Sequence, residues 1–70
     1  MTAWCDVSVI IVNWNTRDLL RDCLHSLYSE TRDIVFEVIV VDNASSDESV
    51  QMMRDEFSDT IVIENKENLG

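Results

Sequence analysis

The run Val7-Ser8-Val9-Ile10-Ile11-Val12 passes straight into Asn13-Trp14-Asn15-Thr16, and Glu37-Val38-Ile39-Val40-Val41 passes straight into Asp42-Asn43-Ala44-Ser45-Ser46-Asp47. Twice, a near-continuous stretch of β-branched residues ends in amides, hydroxyls and a carboxylate. Such stretches suit parallel strands buried on both faces, and an open parallel sheet binds its ligands outside the carboxyl ends of the strands. The polar residues that follow each run are therefore the ones placed to touch a ligand. Their donors and acceptors suit the base and ribose of a nucleotide.

Between the two runs, Leu19, Leu20, Cys23, Leu24, Leu27 and Tyr28 recur with helical period and predict a helix from about Arg17 to Ser29. Thr16 is its expected N-cap, with Asp18 in the first turn where a negative charge complements the helix dipole. After the second run, Ser45 and Glu48 have the spacing of a capping box, which would open a second helix with Val50, Met53 and Phe57 on its buried face. Thr60 to Glu64 reads as a third strand. The resulting order, β-α-β-α-β, is a partial Rossmann-like parallel sheet. Right-handed crossovers give it the strand order 3-2-1 and put both helices on one face.

Seventy residues allow one small domain, whose stability is expected to be marginal because so short a chain buries only about 60% of its unfolded surface. With 14 acidic residues against 5 basic ones and a formal net charge of -9, the chain has no electrostatic footprint for nucleic acid or an anionic membrane. A free nucleotide remains compatible where a divalent cation screens its phosphates. Cys5 and Cys23 match no zinc or redox spacing, and Cys23 is expected on the apolar stripe of the first helix as a small hydrophobe. No signal peptide or transmembrane segment is read in the sequence, so the expected setting is cytoplasmic.

The loop chemistry excludes a dinucleotide site of the G-x-G-x-x-G type, because Asn13-Trp14-Asn15-Thr16 brings an indole and two amides where glycines would let backbone approach a pyrophosphate. These side chains suit hydrogen bonding to, and flanking of, a base or ribose. The plainer reading is that Asn13 and Asn15 satisfy turn backbone while Trp14 packs under the loop. Asp42 can accept from a base N–H or a ribose hydroxyl, and Asn43 adds a donor and an acceptor, although an Asx turn would also explain an acid there. Ser45, Ser46, Asp47 and Glu48 read as helix capping. His25 reads as a solvated surface histidine, and no nucleophile with a histidine partner, no metal spacing and no catalytic group is apparent.

Taken together, V-S-V-I-I-V-N-W-N-T, L-L-x-x-C-L-x-S-L, E-V-I-V-V-D-N-A-S-S-D-E-S and N-K-E-N-L-G resemble the amino-terminal segment of family 2 glycosyltransferases, inverting enzymes of the GT-A fold. The D-N-A-S-S-D form looks most like the rhamnosyltransferase-like members. The resemblance spans about Val7 to Gly70 and implies that residues 1–70 are the amino-terminal, nucleotide-binding part of such a domain, ending before its D-x-D motif. It implies a donor that is a nucleoside diphosphate sugar, linked to UDP or dTDP. It further assigns Asn13, Trp14 and Asn15 to the wall of the nucleotide site, Asp42 with Asn43 to the base, and Asn68 and Gly70 to the start of an N-x-G-F segment lining the same pocket. The magnesium or manganese ion and the acidic catalytic base of the family have no counterpart here, so the chain alone is expected to bind no metal and to transfer no sugar. The full-length enzyme would be cytoplasmic, or peripheral to the inner face of the membrane.

A non-catalytic nucleotide-binding or self-associating α/β module fits the same pattern; a D-x-D motif after a further hydrophobic strand would discriminate against it. A receiver-like domain fits less well, since it wants acidic residues directly after the first strand. Two spatial expectations follow. Asn15 and Asp42 should face each other at the carboxyl end of the sheet. The resemblance also makes the first strand an edge in these residues, which predicts a homo-oligomer with Val9, Ile11 or their neighbours in the interface.

Overall fold

The computed structural model describes residues 5–67. Three strands, β1 (Val7–Asn13), β2 (Phe36–Asn43) and β3 (Ile61–Asn65), alternate with two helices, α1 (Arg17–Glu30) and α2 (Ser49–Glu56). The sheet is parallel throughout and ordered β1-β2-β3. This is the expected β-α-β-α-β arrangement. Asn68 and Gly70, expected to line the same pocket, lie outside the described residues.

The register aligns Val9 with Val38, Ile11 with Val40 and Val40 with Val62, so these side chains share the helix-covered face. There Leu20 and Leu24 from α1, Val38 and Val40 from β2, and Met52 and Met53 from α2 form the buried core. Val9, Ile11, Leu27, Tyr28, Phe36, Val50, Phe57 and Val62 pack around it. Of the β1 residues expected in an interface, this register turns Val9 and Ile11 toward the core and leaves their neighbours Ile10 and Val12 outward. The opposite face carries Ile10 and Val12, which are 66% and 67% exposed.

Two stripe residues also differ from expectation. Leu19 is exposed, and so is Cys23. The stripe is two residues wide at each turn, but α1 rests on the sheet along Leu20, Leu24 and Leu27; Leu19 and Cys23 sit on its flank, where no element of the described chain covers them. Met52, adjacent to the anticipated Met53, also joins the core, and α2 begins three residues later than the capping-box reading would place it.

At the amino ends of the strands, Tyr28 stacks on Phe57 with ring centroids 6.0 Å apart, His25 meets Phe57 edge-on at 5.8 Å, and the Tyr28 hydroxyl lies 2.8 Å from Thr60 Oγ1. The carboxyl ends are different in kind, and carry the polar loops.

Candidate functional site

Asn13 and Asp42 are register partners in β1 and β2, at the last paired level of those strands. Side chains at this level point to the helix-covered face, so both become buried; Asp42 is only 2% exposed. A buried carboxylate needs donors, and it has three contacts. Asn13 Nδ2 donates to Asp42 Oδ1 at 2.8 Å, Ser45 Oγ donates to the same oxygen at 2.7 Å, and the Ser45 amide donates to Asp42 Oδ2 at 3.0 Å. Thr16 Oγ1 completes the Asn13 amide by donating to its Oδ1 at 2.6 Å.

Ser45 is the junction between the two loops. Its hydroxyl also accepts from the Asn15 amide at 3.0 Å, while Asn15 Oδ1 accepts from the Ser46 amide at 2.7 Å. Asn15 and Asp42 thus lie at the same end of the sheet, as expected, linked through Ser45 rather than facing each other directly. The geometry requires unusual backbone: Asn15, Ala44 and Glu48 adopt positive φ of 50°, 58° and 67°. Asparagine enters this region readily, whereas alanine and glutamate pay for a Cβ there.

The helix caps come from the wrong side of the chain. Thr16 is at the N-cap of α1, but makes no side-chain cap because its hydroxyl is turned to Asn13. The expected capping box is absent: α2 opens at Ser49 with Glu48 at its N-cap, and Ser45 is committed to Asp42. Asp47 serves both helices instead. Its Oδ2 accepts from the Arg17 amide at 2.8 Å, and its Oδ1 from the Ser49 amide at 3.1 Å and the Ser49 hydroxyl at 2.5 Å. Burial pushes the Asp47 carboxyl up, but the Ser49 hydroxyl and the two amides outweigh it and hold the group below the usual carboxylate range. Two helix N-termini converge on one side chain, and each adds its favourable dipole end to the anion.

Of the remaining groups, Trp14 and Asn15 are exposed and Asn43 is buried. Trp14 is 53% exposed at the tip of the first loop, and Asn15 is exposed beside it. Asn43, one residue past Asp42, turns to the opposite face, where Asn65 Nδ2 donates to its Oδ1 at 2.7 Å; among the described residues its own Nδ2 has no partner. Asn65 was not among the expected site residues, because the third strand was read as ending at Glu64. The signal available was its position: it is the polar residue that meets Asn43 in register when β3 runs one residue further. A cleft of about 440 Å³ opens beside the first loop between Asn15, Thr16, Arg17, Asp47 and Glu48. A second cleft of about 450 Å³ lies at the amino end, among His25, Tyr28 and Phe57, away from this polar network.

The fold and the site define an α/β protein that gathers amides, hydroxyls and one buried carboxylate at the carboxyl ends of a parallel sheet. The chain belongs to glycosyl transferase family 2, whose model matches residues 8–70. It is similar to the poly(ribitol-phosphate) beta-glucosyltransferase of Bacillus spizizenii, with 32% identity over 68 residues. That alignment covers 91% of this chain and 11% of the relative, so the chain spans about a tenth of the relative's length. No solved structure matches it. Sugar transfer is the activity of the family, and family membership implies a nucleotide-sugar donor. Among the described residues, no helix is long and apolar enough to cross a membrane.

Proposed function

We propose that this chain supplies the base- and ribose-facing part of the donor pocket in an inverting glycosyltransferase that uses a UDP- or dTDP-linked sugar. The observation that carries this reading is the division of labour at the carboxyl ends. Asn13, Asp42 and Ser45 are turned inward and hydrogen-bonded to one another, which fixes the loops, while Trp14 and Asn15 are exposed at the tip of the first loop, Asn15 held there by Ser45 and Ser46, and Asn43 lies on the opposite face against Asn65. The indole offers a face for a base or sugar ring, Asn15 a second polar edge, and the Asn43 Nδ2 a donor for a base carbonyl. Asp42 acts as a positioning residue, since its carboxylate is engaged by three donors inside the fold.

The magnesium or manganese ion of the full-length enzyme finds no cage here. Among the described residues no three histidine, cysteine or carboxylate groups converge. Asp42 and Asp47, the acids nearest the pocket, are taken up by N–H and O–H donors. In this reading the ligands of that ion lie outside the described residues. Without that ion, a diphosphate meets a protein of formal net charge -9.

Saturation-transfer NMR with UDP and dTDP, in the presence of magnesium, tests the reading because it detects weak complexes. Base and ribose protons should receive saturation, Trp14→Ala and Asn43→Ala should each reduce it several-fold, and no sugar should be transferred. Saturation that ignores both substitutions would refute the assignment of the pocket. Tight, metal-dependent binding would show that the metal site had been misplaced.

A further inference from the structure

Asn43 and Asn65 are register partners at the carboxyl ends of β2 and β3, and their side chains meet: Asn65 Nδ2 donates to Asn43 Oδ1 at 2.7 Å. Asn43 is only 8% exposed, and among the described residues its Nδ2 has no partner. The neighbouring Asp42 carboxylate is engaged by Asn13 and Ser45, which leaves Asn43 as the buried polar group at the end of β2 with a hydrogen-bonding atom to offer. A carboxamide whose oxygen is held by a donor has one orientation, because a flip would set N–H against N–H. Resting on the donor-pocket reading, we propose that Asn65 is a positioning residue that sets base specificity. It locks the Asn43 carboxamide with its N–H edge toward the ligand, so that the site takes a pyrimidine with a carbonyl at C4, uracil or thymine, and disfavours cytosine, which carries an amino group there.

Burial and ring chemistry together select C4. The ribose is joined at N1, so C4 is the part of the ring furthest from the sugar, and a base entering a pocket leads with that edge. A donor buried as deeply as Asn43 Nδ2 meets the leading edge. Uracil and cytosine share the carbonyl at C2, which therefore does not separate them. At C4 they are opposite: a carbonyl accepts from Asn43 Nδ2, whereas an amino group sets donor against donor and leaves both unsatisfied. A site built to pair a polar group rejects the analogue that fails to pair far more strongly than a loss of contact area would.

Asn65 acts through Asn43, and aspartate in its place inverts the lock. A carboxylate has no N–H and only accepts, so the Asn43 amide turns to donate Nδ2 to it and presents Oδ1 to the base. The amino group of cytosine then finds an acceptor, and the C4 carbonyl of uracil meets another oxygen. Leucine at the same position removes the orienting donor and puts nothing in its place. The Asn43 amide is then free to take either orientation and serves both bases alike.

Saturation-transfer NMR on the 70-residue chain, with UDP and CDP in competition and magnesium present, reads the preference as a ratio. Both nucleotides carry the same diphosphate, so the acidity of the chain and the charge added by Asn65→Asp act on them equally and cancel in the ratio. In the wild type the base protons of UDP should receive at least about fivefold more saturation than those of CDP. Asn65→Asp should bring the ratio to one or below, and Asn65→Leu should bring it close to one. Asn65 is half-buried at a strand end, so the circular dichroism spectrum of both variants should match the wild type. A ratio near one in the wild type would overturn the proposal. So would a wild-type ratio kept by whichever of the two variants folds, and in that case a UDP signal still lost in Asn43→Ala would leave the pocket itself standing. Saturation of neither nucleotide, or saturation indifferent to Asn43→Ala, would remove the pocket and this inference with it.

Discussion

At the amino ends of the strands, Tyr28 stacks on Phe57, tilts against Phe36 at 5.6 Å and reaches Thr60 through its hydroxyl. At the carboxyl ends, Asn13, Asn15, Asp42, Ser45 and Asp47 are joined by hydrogen bonds between the two loops, with little apolar contact among them. Aromatic burial is non-directional and contributes in proportion to area. A hydrogen bond adds only about 0.5–1.5 kcal/mol net, yet leaving one buried group unpaired costs about 1–3 kcal/mol. The amino end therefore supplies stability, and the carboxyl end supplies geometry. In this chain, the end that carries the candidate site is the end that contributes least to holding the fold together.

The strongest way to break that contrast is Phe57→Ala. Phe57 is the shared partner of His25 and Tyr28, and its loss should cost about 2–3 kcal/mol, at the low end for aromatic truncation because the ring is half-buried. For a domain whose whole stability is of order 4–10 kcal/mol, that is a large share. Urea denaturation followed by circular dichroism should show a lower midpoint with an unchanged slope. A loss below about 0.5 kcal/mol would mean that the amino end is not the anchor.

A smaller effect is expected at the carboxyl end from Asp47→Asn, which keeps an acceptor but removes the charge from two helix N-termini. The cost should be about 1 kcal/mol at neutral pH, the usual scale for a cap. The pH dependence has a definite sign. The folded-state pKa of Asp47 lies below its ordinary value, so its contribution is fully present above the normal carboxylate range and is lost as pH falls through the folded-state pKa. Wild type and Asp47→Asn should therefore differ most at neutral pH and converge toward strong acid. Parallel stability curves down to the acid limb would show that Asp47 does not titrate as a cap.

The same contrast explains what could be read from the sequence. The strands, helices and sheet order follow from local pattern: β-branched runs, a helical stripe, and the right-handed rule for crossovers. The core followed as far as Leu20, Leu24 and Met53, because the stripe marks a face. It failed at Leu19 and Cys23, since a stripe wider than its contact does not say which edge meets the sheet. The caps failed for a different reason. Ser45 and Glu48 form a good local capping box, but Ser45 is drawn to a buried Asp42 carboxylate, and the Arg17 amide finds its acceptor 30 residues away in Asp47. Non-local competition of this kind leaves no periodic trace. Asn15 and Asp42 could be placed at one end, while the partition into inward and outward groups waited on side-chain register.

The smallest effect expected has the opposite sign and probes where backbone strain is kept. Among the described residues, three of the four with positive φ, Asn15, Ala44 and Glu48, lie in the carboxyl-end loops; the fourth, Asp33, lies in the turn before β2. Ala44 holds φ at 58° so that the Ser45 amide and hydroxyl can both turn back onto Asp42. An alanine there carries a steric penalty of about 1–2 kcal/mol, whereas glycine carries none but loses more entropy on folding. The balance should leave Ala44→Gly more stable by about 0.5–1 kcal/mol. Asp33→Gly is the control: aspartate tolerates this conformation, so the gain there should be close to zero. Urea midpoints of both variants decide the matter, with hydrogen exchange at the Ser45 amide showing whether its bond to Asp42 persists. Equal gains at the two positions would mean that strain is a general consequence of a chain with one glycine. A gain confined to Ala44 would mean that it is spent on holding Ser45 against Asp42.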